Sequence, residues 1–432
     1  MQDSTQTITT AKKTSAINPI AIVGALFFIF GFITWLNSVL VPYLKIACQL
    51  NNLESYLVAS AFYAAYLVMA APSTWTLKRF GFKNGMAIGL VIIAIGALIF
   101  IPAALTRTYA IFLLGLFIQG TGLAILQTAS NPYVVVLGPV ESAAKRISIM
   151  GICNKVAGAI APIALGAVAL KNADELKAKL LTLTAEQKVP LLNELASRVI
   201  VPYICIMVAL VVLAVLIYFS TLPEIDTEKE DETTALANTG KTSVFQFPHL
   251  LLGVVTLFLY VGAEVLSGDS IISYASSQHI LLSNAKFFAT CTMISMVVGY
   301  LMGVAFIPKY LSQQKALVIC AILGLVFSVL VLVTHGFVSV FCIALLGLAN
   351  SLMWPALWPL ALNGLGKFTK QGSSLLIMGI AGGAAIPPLY GYLTDLSTPQ
   401  HAYGILLIIY LFILYYATTG HKAGTKVTRP MP

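Results

Sequence analysis

Twelve long apolar stretches, divided six and six by one acidic hydrophilic segment running from Glu224 to roughly Gln246, constrain this chain more than anything else in it. An α-helix needs about 20 apolar residues to cross about 30 Å of hydrocarbon, and no water is available there to satisfy an open backbone, so only helices or closed barrels can span. Hydrophobic residues make up 59% of the 432 and charged residues 9%. A soluble domain carries roughly 25% charged residues, so a soluble enzyme is excluded. The stretches are also too continuous for the alternating strands of a membrane barrel. They fall at about 18–45, 54–77, 84–105, 109–138, 146–170, 198–222, 248–277, 285–309, 315–334, 337–365, 371–394 and 401–419, which predicts an all-α integral membrane protein with twelve transmembrane helices.

Positive charge in short loops is retained on the cytoplasmic side. With the N-terminus inside, the inner segments carry Lys12, Lys13, Lys78, Arg79, Lys83, Lys145, Arg146, Lys309 and Lys315, whereas the short outer loops hold only Lys45, Arg107 and Lys286. Both termini are therefore expected in the cytoplasm, and the net charge of +9 follows from topology. No contiguous basic face calls for nucleic acid. The domain reading is a tail over 1–17, a first six-helix bundle over 18–222, a flexible linker over 223–247, a second bundle over 248–419 and a tail over 420–432. The outer segment 171–197 has leucines at helical spacing, among them Leu176, Leu180, Leu191 and Leu195, and reads as one or two amphipathic surface helices. No cleaved signal peptide is apparent. Six cysteines lie singly without metal-ligand spacing and read as small apolar packing residues.

The halves look duplicated. Ile149-Met150-Gly151-Ile152 recurs as Ile377-Met378-Gly379-Ile380, an offset of 377 − 149 = 228. At nearly the same shift Gly24 falls on Gly253 and the Asn131-Pro132 turn falls near Trp354-Pro355. Two related bundles around a central cavity are the architecture of an alternating-access transporter, with substrate bound near the midplane between them.

Uncharged amides sit where lipid should be: Asn37, Gln119, Gln127, Asn131, Asn154, Asn350 and Asn363. An amide in hydrocarbon must face a partner helix or a wet cavity. Either reading is open for each one, and their gathering in matching spans of the two halves favours a lined cavity. Trp35, Phe62, Tyr63, Tyr66, Tyr260, Trp354 and Trp358 lie beside them. A flat aromatic platform with amides that donate and accept suits the apolar face and hydroxyl rim of a neutral hexose. Core packing or an interfacial belt is the bland alternative for any one ring, less so for Trp354 and Trp358 at i, i+4 mid-span. Glu264 lies midway along the seventh span, Asp269 one and a half turns further out where it could be solvated, and Lys155 within the fifth. A charge near the bilayer centre costs ~2.5–3.5 kcal/mol even on the lenient scale and needs a partner, water or a proton. Glu264 is the candidate for cation coupling or substrate contact, Asp269 and Lys155 join it in the coupling set, and a neutralised Lys155–Glu264 structural pair is the alternative.

FGFITWLNSVLVPYLK, GLAILQTASNPYVVVLGP, RISIMGICNKVAGAIAP, FLYVGAEVLSG and IMGIAGGAAIPPLYGYLTD together resemble the fucose–galactose–glucose:cation symporter family of the major facilitator superfamily over almost the whole chain, with Gln127 to Pro132 the sharpest match. The likeness is closest to glucose/galactose and N-acetylglucosamine permeases, the Asn154-Lys155 pair with Glu141 to Ala144 leaning towards the latter. The resemblance implies a multi-pass transporter of the bacterial inner membrane, not an enzyme, importing a hexose or N-acetylhexosamine with H+ or Na+ as the coupled cation and no cofactor or metal. Its partners would be a small sugar and the lipid bilayer, and nothing demands a dimer over a monomer. Asn37, Gln127, Asn131, Asn154, Glu264, Asn350, Trp354, Trp358 and Asn363 are the expected sugar contacts. The fucose branch has an Asp where this chain has Ser38 and a Glu where it has Gln127, and the family commonly has Ser at Lys155. Coupling therefore moves to Glu264, uses another site, or is lost in an uncoupled facilitator. A drug or metabolite antiporter of the same fold is the remaining rival.

Overall fold

The computed structural model describes residues 19–136, 143–220, 242–307, 310–365 and 368–424. Most of the linker and both terminal tails expected from the sequence lie outside them. Everything described is helix joined by short turns. The first half comprises α1 (Pro19–Trp35), α2 (Asn37–Ala47), α3 (Asn52–Thr106), α4 (Tyr109–Val136), α5 (Ala143–Ala169), α6 (Ala173–Thr182), α7 (Ala185–Ser197) and α8 (Ile200–Tyr218). The second comprises α9 (Pro248–Asp269), α10 (Ile271–Ser277), α11 (Leu282–Phe306), α12 (Gln313–Val333), α13 (Gly336–Ser351), α14 (Met353–Leu362), α15 (Thr369–Met378), α16 (Gly382–Leu396), α17 (Pro399–Ala402) and α18 (Ile405–Thr418).

Eleven helical stretches among the described residues are long and apolar enough to cross a membrane. One of them, α3, runs for 55 residues, about 80 Å at 1.5 Å per residue and far more than a bilayer accepts. It is bent back at Gly81, whose φ of 80° and ψ of 170° interrupt the helix. A side chain is strained in that backbone conformation, so glycine between the basic residues Arg79 and Lys83 makes the turn possible. The outer surfaces carry fully apolar side chains in the open, Leu105, Val201, Leu216 and Ile408 among them. In water such a surface would drive association; facing acyl chains it needs no cover.

Within the first half α1 packs along α5 and α3 along α4 and α8; within the second α9 packs along α16, α11 along α13 and α12 along α13 and α18. The duplication is visible in how closely these helices approach. A Cβ on Gly31 of α1 would run into the Asn154 carbonyl of α5, and one on Gly382 of α16 would run into the Phe258 carbonyl of α9. Shifting Asn154 by 228 lands on Gly382, and shifting Gly31 lands on 259, next to Phe258. The same crossing thus recurs in each half with the glycine supplied by the opposite helix.

Two seams join the halves, α3 against α16 and α5 against α11. Both are tied at the end of the molecule that carries α6 and α7, called here the capped end. Asp395, closing α16, accepts from the backbone N–H groups of Asn52 at 3.3 Å and Leu53 at 2.9 Å and from the Asn52 amide at 2.6 Å. Asp174 of α6 accepts from the N–H groups of Leu282 at 3.0 Å and Ser283 at 3.3 Å. Each half therefore places a carboxylate on the free N–H groups that begin a helix of the other, where the helix dipole favours negative charge.

Candidate functional site

Away from the capped end the halves part around a narrow cleft, partly open to solvent. From the first half it is lined by Tyr66, Met69, Ala70 and Ser73 of α3 and by Ala124, Gln127 and Thr128 of α4. Trp354 and Trp358 of α14 and Ile377 and Ile380 of the α15–α16 stretch complete it from the second. The spacing of the α3 set, i, i+3, i+4 and i+7, presents one helical face. The Gln127 amide donates to the Tyr66 hydroxyl at 3.1 Å, which leaves its carbonyl oxygen free for a ligand. The two indoles lie 5.5 Å apart between ring centres at 53°, forming a bent apolar wall, and the Trp358 N–H is buried without a partner. Helix breaks shape this wall. α13 and α14 part at Leu352, and α15 passes into α16 through the short 3-10 turn Gly379–Ala381.

Of the expected sugar contacts, Gln127, Trp354 and Trp358 meet in this cleft. The others stand elsewhere in this conformation. Asn350 is fully buried, its amide 3.4 Å from Ser267 Oγ and its carbonyl accepting from the Tyr410 hydroxyl at 2.9 Å, so its hydrogen bonds are spent inside the second half. Asn363 follows the end of α14, exposed, and its backbone carbonyl meets His249 Nε2 at 2.9 Å. Asn37 is 1% exposed, beside the break between α1 and α2, and neither its amide nitrogen nor its oxygen has a partner. Asn154 is half-buried, with its amide 3.5 Å from the Phe27 carbonyl. Asn131 lies on α4, but its side chain falls outside the described ones. Gln119 is buried against Gly96.

Ser73 and Thr128 line the cleft without having been singled out from the sequence. The signal was present: Ser73 is seven residues after Tyr66, and Thr128 follows Gln127 in the most distinctive motif of the chain. A small hydroxyl is a weak signal in a membrane helix because it commonly bonds back to its own turn, as Thr128 does to the Ala124 carbonyl at 2.7 Å.

Deeper in the interface, Lys155 of α5 reaches Glu264 of α9 at 2.6 Å, with both side chains close to nine-tenths buried. The Lys155 ammonium also stands 4.5 Å from the centre of the Trp35 ring, a cation–π distance. Tyr260, one turn earlier on α9, donates to the other Glu264 oxygen. Trp35 is wedged between Gly158 and Gly268, one glycine from each half, and packs the seam instead of facing the cleft. Asp269, whose place near the end of its span suggested contact with water, is 1% exposed, and neither carboxylate oxygen has a hydrogen-bond partner.

Residues 23–386 match the Major Facilitator Superfamily. The glucose/galactose transporter of Brucella abortus biovar 1 (strain 9-941) is 35% identical over 92% of this chain and 93% of its own. The putative glucose/galactose transporter of Helicobacter pylori (strain ATCC 700392 / 26695) is 30% identical over 95% and 98%. The crystal structure of the Major Facilitator Superfamily transporter FucP, in the outward conformation, superposes with a TM-score of 0.69 at 28% identity, covering 93% of this chain and 98% of that one. The chain is therefore a multi-pass membrane transporter, not an enzyme, and belongs to the fucose–galactose–glucose:cation symporter family of the Major Facilitator Superfamily.

Proposed function

We propose that the protein imports a neutral hexose or N-acetylhexosamine, with N-acetylglucosamine, glucose and galactose as candidates, by alternating access in symport with H+ or Na+. The observation that carries this reading is the meeting of Gln127 from the first half with Trp354 and Trp358 from the second in a cleft that, among the described residues, no cationic or acidic side chain lines. Indole faces take the C–H face of a pyranose, and the free Gln127 carbonyl with the Ser73 and Tyr66 hydroxyls takes its rim. The names of the relatives, glucose/galactose transporters and an L-fucose-proton symporter of Escherichia coli (strain K12), support a sugar.

In this reading α3 contributes two crossings on either side of Gly81, making twelve spans with both termini cytoplasmic in the bacterial inner membrane. The capped end then faces out, and the structure is an inward-facing state, sealed outside by Asp395 and Asp174 and open to the cytoplasm through the cleft. Asn37, Asn154 and Asn350 border the same interface and would meet sugar only after the helices move, while Asn363 shapes the inner mouth. Coupling belongs to the charged group between the halves, Lys155, Glu264 and Asp269.

Counterflow in liposomes tests this. Purified protein preloaded with unlabelled sugar should draw in radiolabelled N-acetylglucosamine or glucose, and net uptake should respond to sodium or to an inward proton gradient. Exchange of neither sugar would contradict the substrate class, and exchange without any response to either cation would make the protein an uncoupled facilitator.

A further inference from the structure

Within the spans, Asp269 has no counterpart. It ends α9 at the seam between the halves, 1% exposed, with both oxygens unpaired. A bare carboxylate in such a place forfeits its hydration and receives neither a hydrogen bond nor a counter-charge, which costs several kcal/mol in an apolar interior; a neutral carboxylic acid avoids most of that.

The groups facing it offer no compensation. From α3, Tyr56 and Tyr63 are the ionisable side chains that feel its charge. Trp35 packs on the adjacent Gly268. Ser270 and Ser273 lie on its own side of the seam; Ser270 is bonded to Tyr403, and the Ser273 hydroxyl has no partner. Lys155, the cation of this interface, is already matched by Glu264, and among the described residues no cation is paired with Asp269. Hard cations require several oxygen ligands around one point, and neither Asp269 oxygen has a hydrogen-bond partner among the described residues. A proton is the cation this carboxylate can hold.

We propose that Asp269 is the proton-carrying group of the transport cycle, held as the neutral acid in the conformation described here, and that Lys155 and Glu264 form a fixed charge pair. The inference rests on the symport reading above and assigns its cation. When α3 separates from α16 at the capped end, Asp269 meets outer water and takes up a proton; closing then buries the acid form. Tyr63 links the sealed site to the cleft. Its ring stacks on Tyr66 with 6.2 Å between centres, and Tyr66 is bonded to Gln127 in the cleft wall. Release of the proton to water on the cleft side, once the helices have moved, returns the carboxylate to its charged form for the next cycle.

The test uses full-length protein in liposomes holding a trapped pH dye, with glucose and N-acetylglucosamine as probes, comparing wild type, Asp269→Asn and Asp269→Glu. Wild type should acidify the lumen when sugar is added outside. Asp269→Asn, which fixes the neutral shape, should lose that acidification while labelled sugar still exchanges, because exchange needs no net proton movement, and Asp269→Glu should retain part of it. Infrared spectra of the purified proteins at pH 7 give a reading independent of any sugar: a carboxylic-acid C=O band present in wild type and missing from Asp269→Asn. Undiminished sugar-driven acidification in Asp269→Asn, or no difference in the acid band, overturns the proposal. If wild type exchanges neither sugar, the substrate reading has failed and the infrared comparison alone decides on Asp269.

Discussion

Lys155 Nζ and Glu264 Oε1 lie 2.6 Å apart and come from opposite halves of the molecule, so one ion pair spans the interface that alternating access must remodel. Removing one partner strands the other charge at about one-tenth exposure, and breaking a buried pair costs about 3–5 kcal/mol, whereas removing both can be neutral. Lys155→Met and Glu264→Gln should therefore each lower the melting temperature of the detergent-purified protein clearly, and the double variant should recover most of the loss. Additive losses would show that the two side chains act separately.

A second prediction concerns the capped end. Asp395 and Asp174 each neutralise a helix start in the other half, an interaction worth about 0.3–1 kcal/mol where exposed. Asp395→Ala and Asp174→Ala should shift the population towards the state open at that end by roughly two- to fivefold each. Tyr63, 5% exposed in the closed seam, supplies the readout. Labelling of a Tyr63→Cys variant by an impermeant thiol reagent from the capped side should accelerate in either Asp→Ala background. An unchanged rate would remove these contacts from the gate.

Cys48, which follows α2 at the capped end, gives a pH dependence whose sign can be worked out. Burial pushes its thiol up to about 11, offset in part by the Arg107 guanidinium. The thiolate is the reactive form, so modification should be slow at pH 7 and climb roughly tenfold per pH unit until the thiol has ionised. Mass spectrometry of protein treated with a methanethiosulfonate reagent on the capped side of sealed vesicles checks this. A fast, pH-independent rate at neutral pH would contradict the burial of Cys48.

The helical membrane architecture and the cleft wall of Gln127, Trp354 and Trp358 were legible in the sequence because each depends on one helix at a time. Length and hydropathy specify a span, and i, i+4 spacing places two indoles on one face. What was not legible depends on how helices are rotated against each other. Asn350 and Gln127 look alike as mid-span amides, yet Ser267 and Tyr410 take up the first while the second keeps a free oxygen towards the cleft. The burial of Asp269 is hidden from the sequence for a related reason. Distance from the span centre suggested water, but the seam with α3 covers it, and that seam is formed by residues more than 200 positions away in the chain. A Lys155–Glu264 pair is one of the two readings the sequence offers for Glu264, and the geometry brings these two side chains together.

The most direct test of the central claim, that sugar is held between Gln127 and the indoles of Trp354 and Trp358, is tryptophan fluorescence of the purified protein during titration with N-acetylglucosamine and glucose. Four tryptophans are present, so variants separate their contributions. Sugar should change the emission of wild type and of Trp75→Phe, which alters an exposed position; the change should vanish in the Trp354→Phe/Trp358→Phe double variant, and Gln127→Ala should weaken apparent affinity by about 5- to 150-fold, the cost of about 1–3 kcal/mol for a lost buried hydrogen bond. An equal response in the double variant, or the same affinity in Gln127→Ala, would place the sugar elsewhere and contradict the account.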